Sequence, residues 1–160
     1  WSHHMKEEIL MYYPELNSAN IFITGSSQFI PYFDNSKKIS RSEFAKRYNL
    51  SYEKKWICFS GDDVTTSPHD QYYLKDLGEA VQRWNLIYNE KLHIVFRRCP
   101  TDFSSRYDDV IREYNDIITE VRPAWRTLHN NEGWDKIVPE KIDSSLLINT
   151  VLHCEFVVNV

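Results

Sequence analysis

Lys54-Lys55-Trp56-Ile57-Cys58-Phe59-Ser60-Gly61-Asp62-Asp63 is the stretch that decides the fold. An unbroken apolar run between lysines and a Gly-Asp-Asp exit reads as a strand buried on both faces. Val64-Thr65-Thr66 extends the exit loop. Ser67-Pro68 then signals a helix start, with Ser67 as cap, Pro68 at the first helical position and Asp70 in the first turn. Leu74, Leu77, Val81, Trp84 and Tyr88 follow at helical spacing.

Downstream the alternation continues. Leu92-His93-Ile94-Val95-Phe96 is a second strand, ended by Arg97-Arg98-Cys99-Pro100. Ser104 or Ser105 opens a helix carrying Tyr107, Val110, Ile111 and Tyr114. Asp116 to Val121 is a third strand. A polar, Trp-containing stretch runs from Arg122 to Lys141. Asp143-Ser144 caps a helix carrying Leu146, Leu147, Thr150 and Val151, and Glu155 to Val160 is a fourth strand. Strands alternating with helices predict an α/β fold: a Rossmann-like parallel sheet, helices on both faces, right-handed crossovers. Ligands of such sheets bind beyond the carboxyl ends of the strands. That points to Ser60–Thr66, Arg97–Asp102, Arg122–Trp125 and whatever follows Val160.

Upstream, Ser40-Arg41-Ser42-Glu43 is a capping box that opens a helix to about Tyr48. Asn20-Ile21-Phe22-Ile23-Thr24-Gly25 reads as a short buried strand leading into a Gly-Ser-Ser loop. Ser2 caps a first helix, His3 to Tyr13, with Met5, Ile9 and Tyr12 on one face. His3 and His4 read as native sequence.

Composition narrows the function classes. The chain has 160 residues, 42% hydrophobic and 14% aromatic, which suits one domain with a real core and argues against disorder. A net charge of −4, with acids spread along the chain, gives no basic patch, so no nucleic-acid partner is expected. Apolar runs are too short and too interrupted for a transmembrane helix. The 3 cysteines, Cys58, Cys99 and Cys154, lack CxxC spacing and read as free thiols, which suits a reducing cytoplasm.

The 4 glycines are scattered, so there is neither a GxGxxG nor a P-loop, and GxSxG and HExxH are absent too. His69, His129 and His153 lack acidic or cysteine partners at ligand spacing, so no metal is expected. His93 alternates within a strand and reads as structural. Asp62 and Asp63 could be a phosphoacceptor pair, but that chemistry wants an acid at the next strand end, where Arg97-Arg98 stands. Asp108 and Asp109 read as a solvated helix face.

The binding candidates sit at strand ends. Ser60 and Gly61 either bring backbone amides close to a phosphate or form an ordinary strand–helix turn. Arg97 either forks to a diphosphate or is a structural cation. Arg122, Pro123 and Trp125 either wall a nucleobase or pack under an irregular loop.

Several segments resemble a known family. Ile21 to Phe29 with Pro31-Tyr32-Phe33-Asp34 resembles the "vTGsPqFDpY" segment joining the halves of some bacterial GT-B enzymes. These are surface-polysaccharide glycosyltransferases and proteins similar to CDP-glycerol glycerophosphotransferases. Ser42-Glu43-Phe44, Tyr48-Asn49-Leu50 and Lys54-Lys55-Trp56-Ile57 resemble "reeF…ygL…kkiIl". Arg97-Arg98-Cys99-Pro100 with Asp102 resembles "RpHPxD". Leu146 to Thr150 with Val157 to Val160 resembles "LlaNtl…advvvnv". The family's histidine is Cys99 here, and its "sPq" proline is Ser27.

The resemblance implies that residues 1–37 end an acceptor-side domain and its linker. It implies that 38–160 are the first part of a partial GT-B C-terminal, nucleotide-binding domain, cut off at both ends. The expected activity of the parent is transfer of a sugar from a nucleotide-sugar donor to a glycan or lipid-linked acceptor. Ser60, Gly61 and Arg97 would hold phosphate, and Arg122, Pro123 and Trp125 the base. No cofactor is expected. The catalytic base, the Gly-Ser loop and any membrane contact would lie outside these residues, and the chain alone should be inactive. Glycerophosphate transfer, sugar-nucleotide epimerisation and a non-catalytic α/β interaction module remain alternatives.

Overall fold

The structure, a computed structural model, describes residues 2–128 and 136–159, without the side chain of Gln28. The chain divides into two compact units, Trp1–Asn35 and Ser36–Val160.

The first unit holds helices α1 (His3–Tyr12) and α2 (Ile30–Phe33) and no strand among its described residues. Ser2 caps α1 by accepting from the Met5 amide at 3.2 Å. The strand expected at Asn20–Gly25 does not form. Ser18–Asn20 is a 3-10 turn capped by Asn17, and Lys6 Nζ donates to the carbonyls of Ser18 and Ile21. A strand needs a neighbour to take its amides. Here the Asn20 and Ile21 amides turn back to the Asn17 and Ser18 carbonyls, and Phe22 is left 80% exposed.

The second unit is the α/β domain expected, a Rossmann-like fold. Its strands are β1 (Lys55–Ser60), β2 (Leu92–Arg97), β3 (Ile118–Glu120) and, completing the main sheet, β6 (Phe156–Asn159). They form a parallel sheet in the order β3-β2-β1-β6, with Ser60 level with Arg97 on one side and Asn159 on the other. Helices α4 (Asp70–Tyr88) and α5 (Asp108–Glu113) supply Leu74, Val81 and Val110 to one face, against Ile57, Phe59, Ile94 and Phe96. Helices α3 (Arg41–Arg47) and α6 (Lys141–His153) supply Phe44, Ala45 and Leu146 to the other, against Trp56 and Val95. The alternation of side chains along each strand therefore splits the core in two, as burial on both faces requires.

Local chemistry explains the element ends, and in places shifts them. Ser40 caps α3 as expected, accepting from the Glu43 amide at 3.2 Å, while Glu43 pairs with Arg47. Helix α4 starts at Asp70 rather than after Ser67. The Ser67 hydroxyl instead donates to the Asp70 carboxylate, which is wholly buried. The stripe of α4 is buried at Leu74 and Val81, but Trp84 and Tyr88 face outward. Helix α5 begins at Asp108, later than the expected Ser104 or Ser105. Helix α6 begins at Lys141, which places Asp143 inside its first turn with the carboxylate turned to Arg97 rather than capping the helix. The stretch Arg122–Lys141, expected to be irregular, carries an antiparallel ribbon of β4 (Trp125–Thr127) and β5 (Ile137–Pro139). His129, expected not to bind metal, lies outside the described residues, as does Val160.

Candidate functional site

The carboxyl ends of the strands meet three loops, and the loops differ in what their polar groups do. After β1, Ser60 is half-buried and the Gly61 amide donates to the Arg97 carbonyl at 2.9 Å, continuing the ladder. A Cβ on Gly61 would sit 2.7 Å from the Tyr107 hydroxyl and 3.2 Å from the Phe96 ring. Glycine is needed here because Tyr107 packs against the backbone. The Asp62 amide donates to Asp70 at 2.6 Å, and the Tyr107 hydroxyl reaches the same carboxylate oxygen at 3.3 Å. Arg106 ties the loop down, donating to the Asp62 carbonyl at 2.7 Å and to Asp102 at 2.8 Å. The Asp63 carboxylate accepts the amides of Thr65 and Thr66 at 2.8 and 3.1 Å. Those bonds, with the threonine hydroxyls first among them, hold the Asp63 carboxyl well below the usual carboxylate range. Burial, then the Asp70 charge, raises the Tyr107 hydroxyl far above an ordinary tyrosine, so it stays a donor.

After β2, the two arginines are also engaged. Arg97, 8% exposed, places Nη2 3.1 and 3.0 Å from the two oxygens of Asp143, itself 6% exposed. Its Nη1 is buried without a hydrogen-bond partner. Asp143 also accepts from the Ala124 amide at 2.9 Å and from Trp125 Nε1 at 2.8 Å. One carboxylate thus neutralises a buried guanidinium and fixes the start of β4. Arg98 bonds Glu120 at 2.7 Å and lies 5.0 Å over the Tyr107 ring.

After β3 the chain opens outward. Arg122 has a side chain 74% exposed and touches the outer oxygen of Glu120 at 3.2 Å. Arg122, Pro123 and Trp125 line a cleft of about 190 Å³ with Arg98, Phe103 and Ile137. An adjoining depression of about 260 Å³ shares Arg98, Phe103 and Arg122 and adds Ser104, Ser105 and Asp108. The cleft sets the Trp125 and Pro123 side chains beside the exposed Arg122 guanidinium.

Of the expected residues, the structure brings Arg122, Pro123 and Trp125 together around one cleft. Ser60, Gly61 and Arg97 sit in the packed layer beneath the loops. Residues that the sequence reading did not single out do much of the organising. In the sequence Asp143 stands where a helix cap is expected, and Glu120, Arg106 and Tyr107 fall within an expected strand and helix. Their only sequence signal is position: an acid, arginine or tyrosine within a few residues of a strand or helix end. Among the described residues no cluster of His, Cys, Asp or Glu converges for a metal ion, and no helix is long and apolar enough to cross a membrane.

Comparison with known proteins assigns no family: no protein-family model matches the chain, and no curated protein matches it.

Proposed function

We propose that this chain is the nucleotide-binding part of a glycosyltransferase whose donor is a nucleotide-sugar and whose acceptor is a glycan or lipid-linked glycan. The observation that carries the reading is the cleft at the ends of β2 and β3, where Trp125 and Pro123 stand beside Arg122. The base stacks on the Trp125–Pro123 wall, and Arg122 offsets phosphate charge. The fold supports the reading because parallel α/β sheets bind ligands at this edge. Leaving-group stabilisation by fixed cations and dipoles is the work such a site does. In this reading Arg97 acts at one remove, through Asp143, by holding Trp125 in place.

One observation favours a second reading, a non-catalytic interaction module. The amides of Gly61, Asp62 and Asp63 all donate within the chain, so the first loop presents no open phosphate cradle.

Tryptophan fluorescence with UDP, GDP, CDP and ADP tests the choice. Saturable quenching by one base, abolished in Trp125→Phe and weakened in Arg122→Ala, is the expected result. Absence of quenching with every nucleotide would favour the interaction module.

A further inference from the structure

The outer face of α4 carries a groove of about 460 Å³ that the strand-end cleft does not involve. Its walls are two ridges at four-residue spacing, Asp76-Ala80-Trp84-Tyr88 and Glu79-Arg83-Ile87. Such i±4 ridges are what one helix offers another for ridge-into-groove packing. Trp84, Ile87 and Tyr88 are 47%, 64% and 58% exposed, and the Trp84 and Tyr88 rings pack tilted with centroids 4.2 Å apart. Ala80, between larger neighbours, lets another helix come close.

We infer that this face pairs with α4 of a second copy of the chain, antiparallel, about a two-fold axis level with residues 81–82. The charge order along the helix argues for it. The acids Asp76 and Glu79 precede Arg83, so an antiparallel crossing sets Glu79 against the partner's Arg83. The same crossing sets Ala80 under the partner's Trp84 and Asp76 beside the partner's Tyr88. A parallel pairing would instead oppose like charges. An isologous contact of this kind is self-complementary by symmetry. One helix pair buries on the order of 1,000 Å² in total, at the small end for a specific interface, so the dimer is reversible.

Sedimentation velocity on the whole chain, over a concentration series reaching about 1 mM, reads the result, because an interface this small assembles only at high concentration. A monomer–dimer equilibrium is expected. Ile87→Glu should abolish it while leaving the thermal unfolding midpoint unchanged. Glu79→Arg and Arg83→Glu should each weaken dimerisation by about fivefold, the size of a rim ion pair. The double swap should restore it, because the complementary charges are then exchanged on both copies. A chain monomeric throughout the series would overturn the inference. So would a dimer indifferent to the swaps, which would place the contact on another face, such as the exposed Phe156 and Val157 of β6.

Discussion

The loops after β1 and after β3 leave the same edge of the same sheet, yet one is closed and the other open. After β1, Gly61, Asp62 and Asp63 direct every amide inward, to Arg97, Asp70 and Asp62, and Arg106 clamps the turn. After β3, Asp143 fixes only Ala124 and Trp125 Nε1, leaving the Trp125 ring and Arg122 beside a cleft. The difference teaches that a glycine or arginine at a strand end is open to a ligand only where packing leaves it exposed, as it leaves Arg122 and not Arg97. In this molecule the more glycine-like phosphate signature is the packed one, and the Trp-containing turn is the accessible one.

The strongest way to break the comparison is Asp143→Ala. It strands a buried guanidinium and removes the acceptor that holds β4, so a loss of about 3–5 kcal/mol is expected. Urea unfolding at neutral pH measures it, and a loss below about 1 kcal/mol would mean that Asp143 does not organise the open loop. Asp143→Asn, which keeps an acceptor for Trp125, should cost less.

The opposite edge of the sheet supplies a control. His93 is buried, with Lys54 Nζ 3.3 Å from Nδ1 and Thr119 Oγ1 2.8 Å from Nε2. Burial first, then the Lys54 charge, lowers its pKa to about 4, with Asp116 opposing weakly. The folded pKa lies below the unfolded value, so the unfolded chain takes up the proton first. Stability is full above about pH 6.5 and falls as pH drops toward 4, by up to about 3 kcal/mol. His93→Gln should remove that part of the pH dependence while leaving both strand-end loops as they are. Parallel stability curves for the two proteins between pH 7 and 4 would contradict it.

Gly61→Ala tests the closed loop. The added methyl meets the Tyr107 hydroxyl, and about 1–3 kcal/mol should be lost through overpacking. Tyr107→Phe removes that oxygen, so the double variant should lose less than the two single losses together. Strict additivity would mean that the close approach is not what requires glycine.

The smallest effects should fall on binding. Arg122→Ala should weaken nucleotide affinity by about tenfold, some 1.4 kcal/mol. It should change stability by less than about 0.5 kcal/mol, since the side chain is exposed. Ser60→Ala should leave affinity unchanged. The reverse pattern would return the site to the first loop.

How much of this could be read from sequence depends on the range of the interaction. Buried runs such as Trp56–Phe59 and Leu92–Phe96 gave the parallel sheet, because a strand covered on both faces is apolar throughout. Ser2 and Ser40 were legible as caps, because a cap bonds within its own turn. Asn20–Gly25 misled because an apolar run does not reveal whether a neighbouring strand exists to pair with it. Asp143 looked like a cap, since nothing local announces Arg97, distant in sequence but bonded to it in space. Tyr107 above Gly61 is hidden for the same reason. Trp84 and Tyr88 continue the helical spacing of Leu74, Leu77 and Val81 but lie exposed, because spacing does not tell which side of α4 the sheet occupies.

A heteronuclear NMR titration of the chain with UDP, GDP, CDP and ADP tests the open-cleft site most directly. Saturable shifts at Phe103 and Arg122–Trp125 with one of these nucleotides, leaving Ser60–Asp63 unmoved, are the expected outcome. Shifts centred on Ser60–Asp63, with Arg122–Trp125 silent, would contradict it.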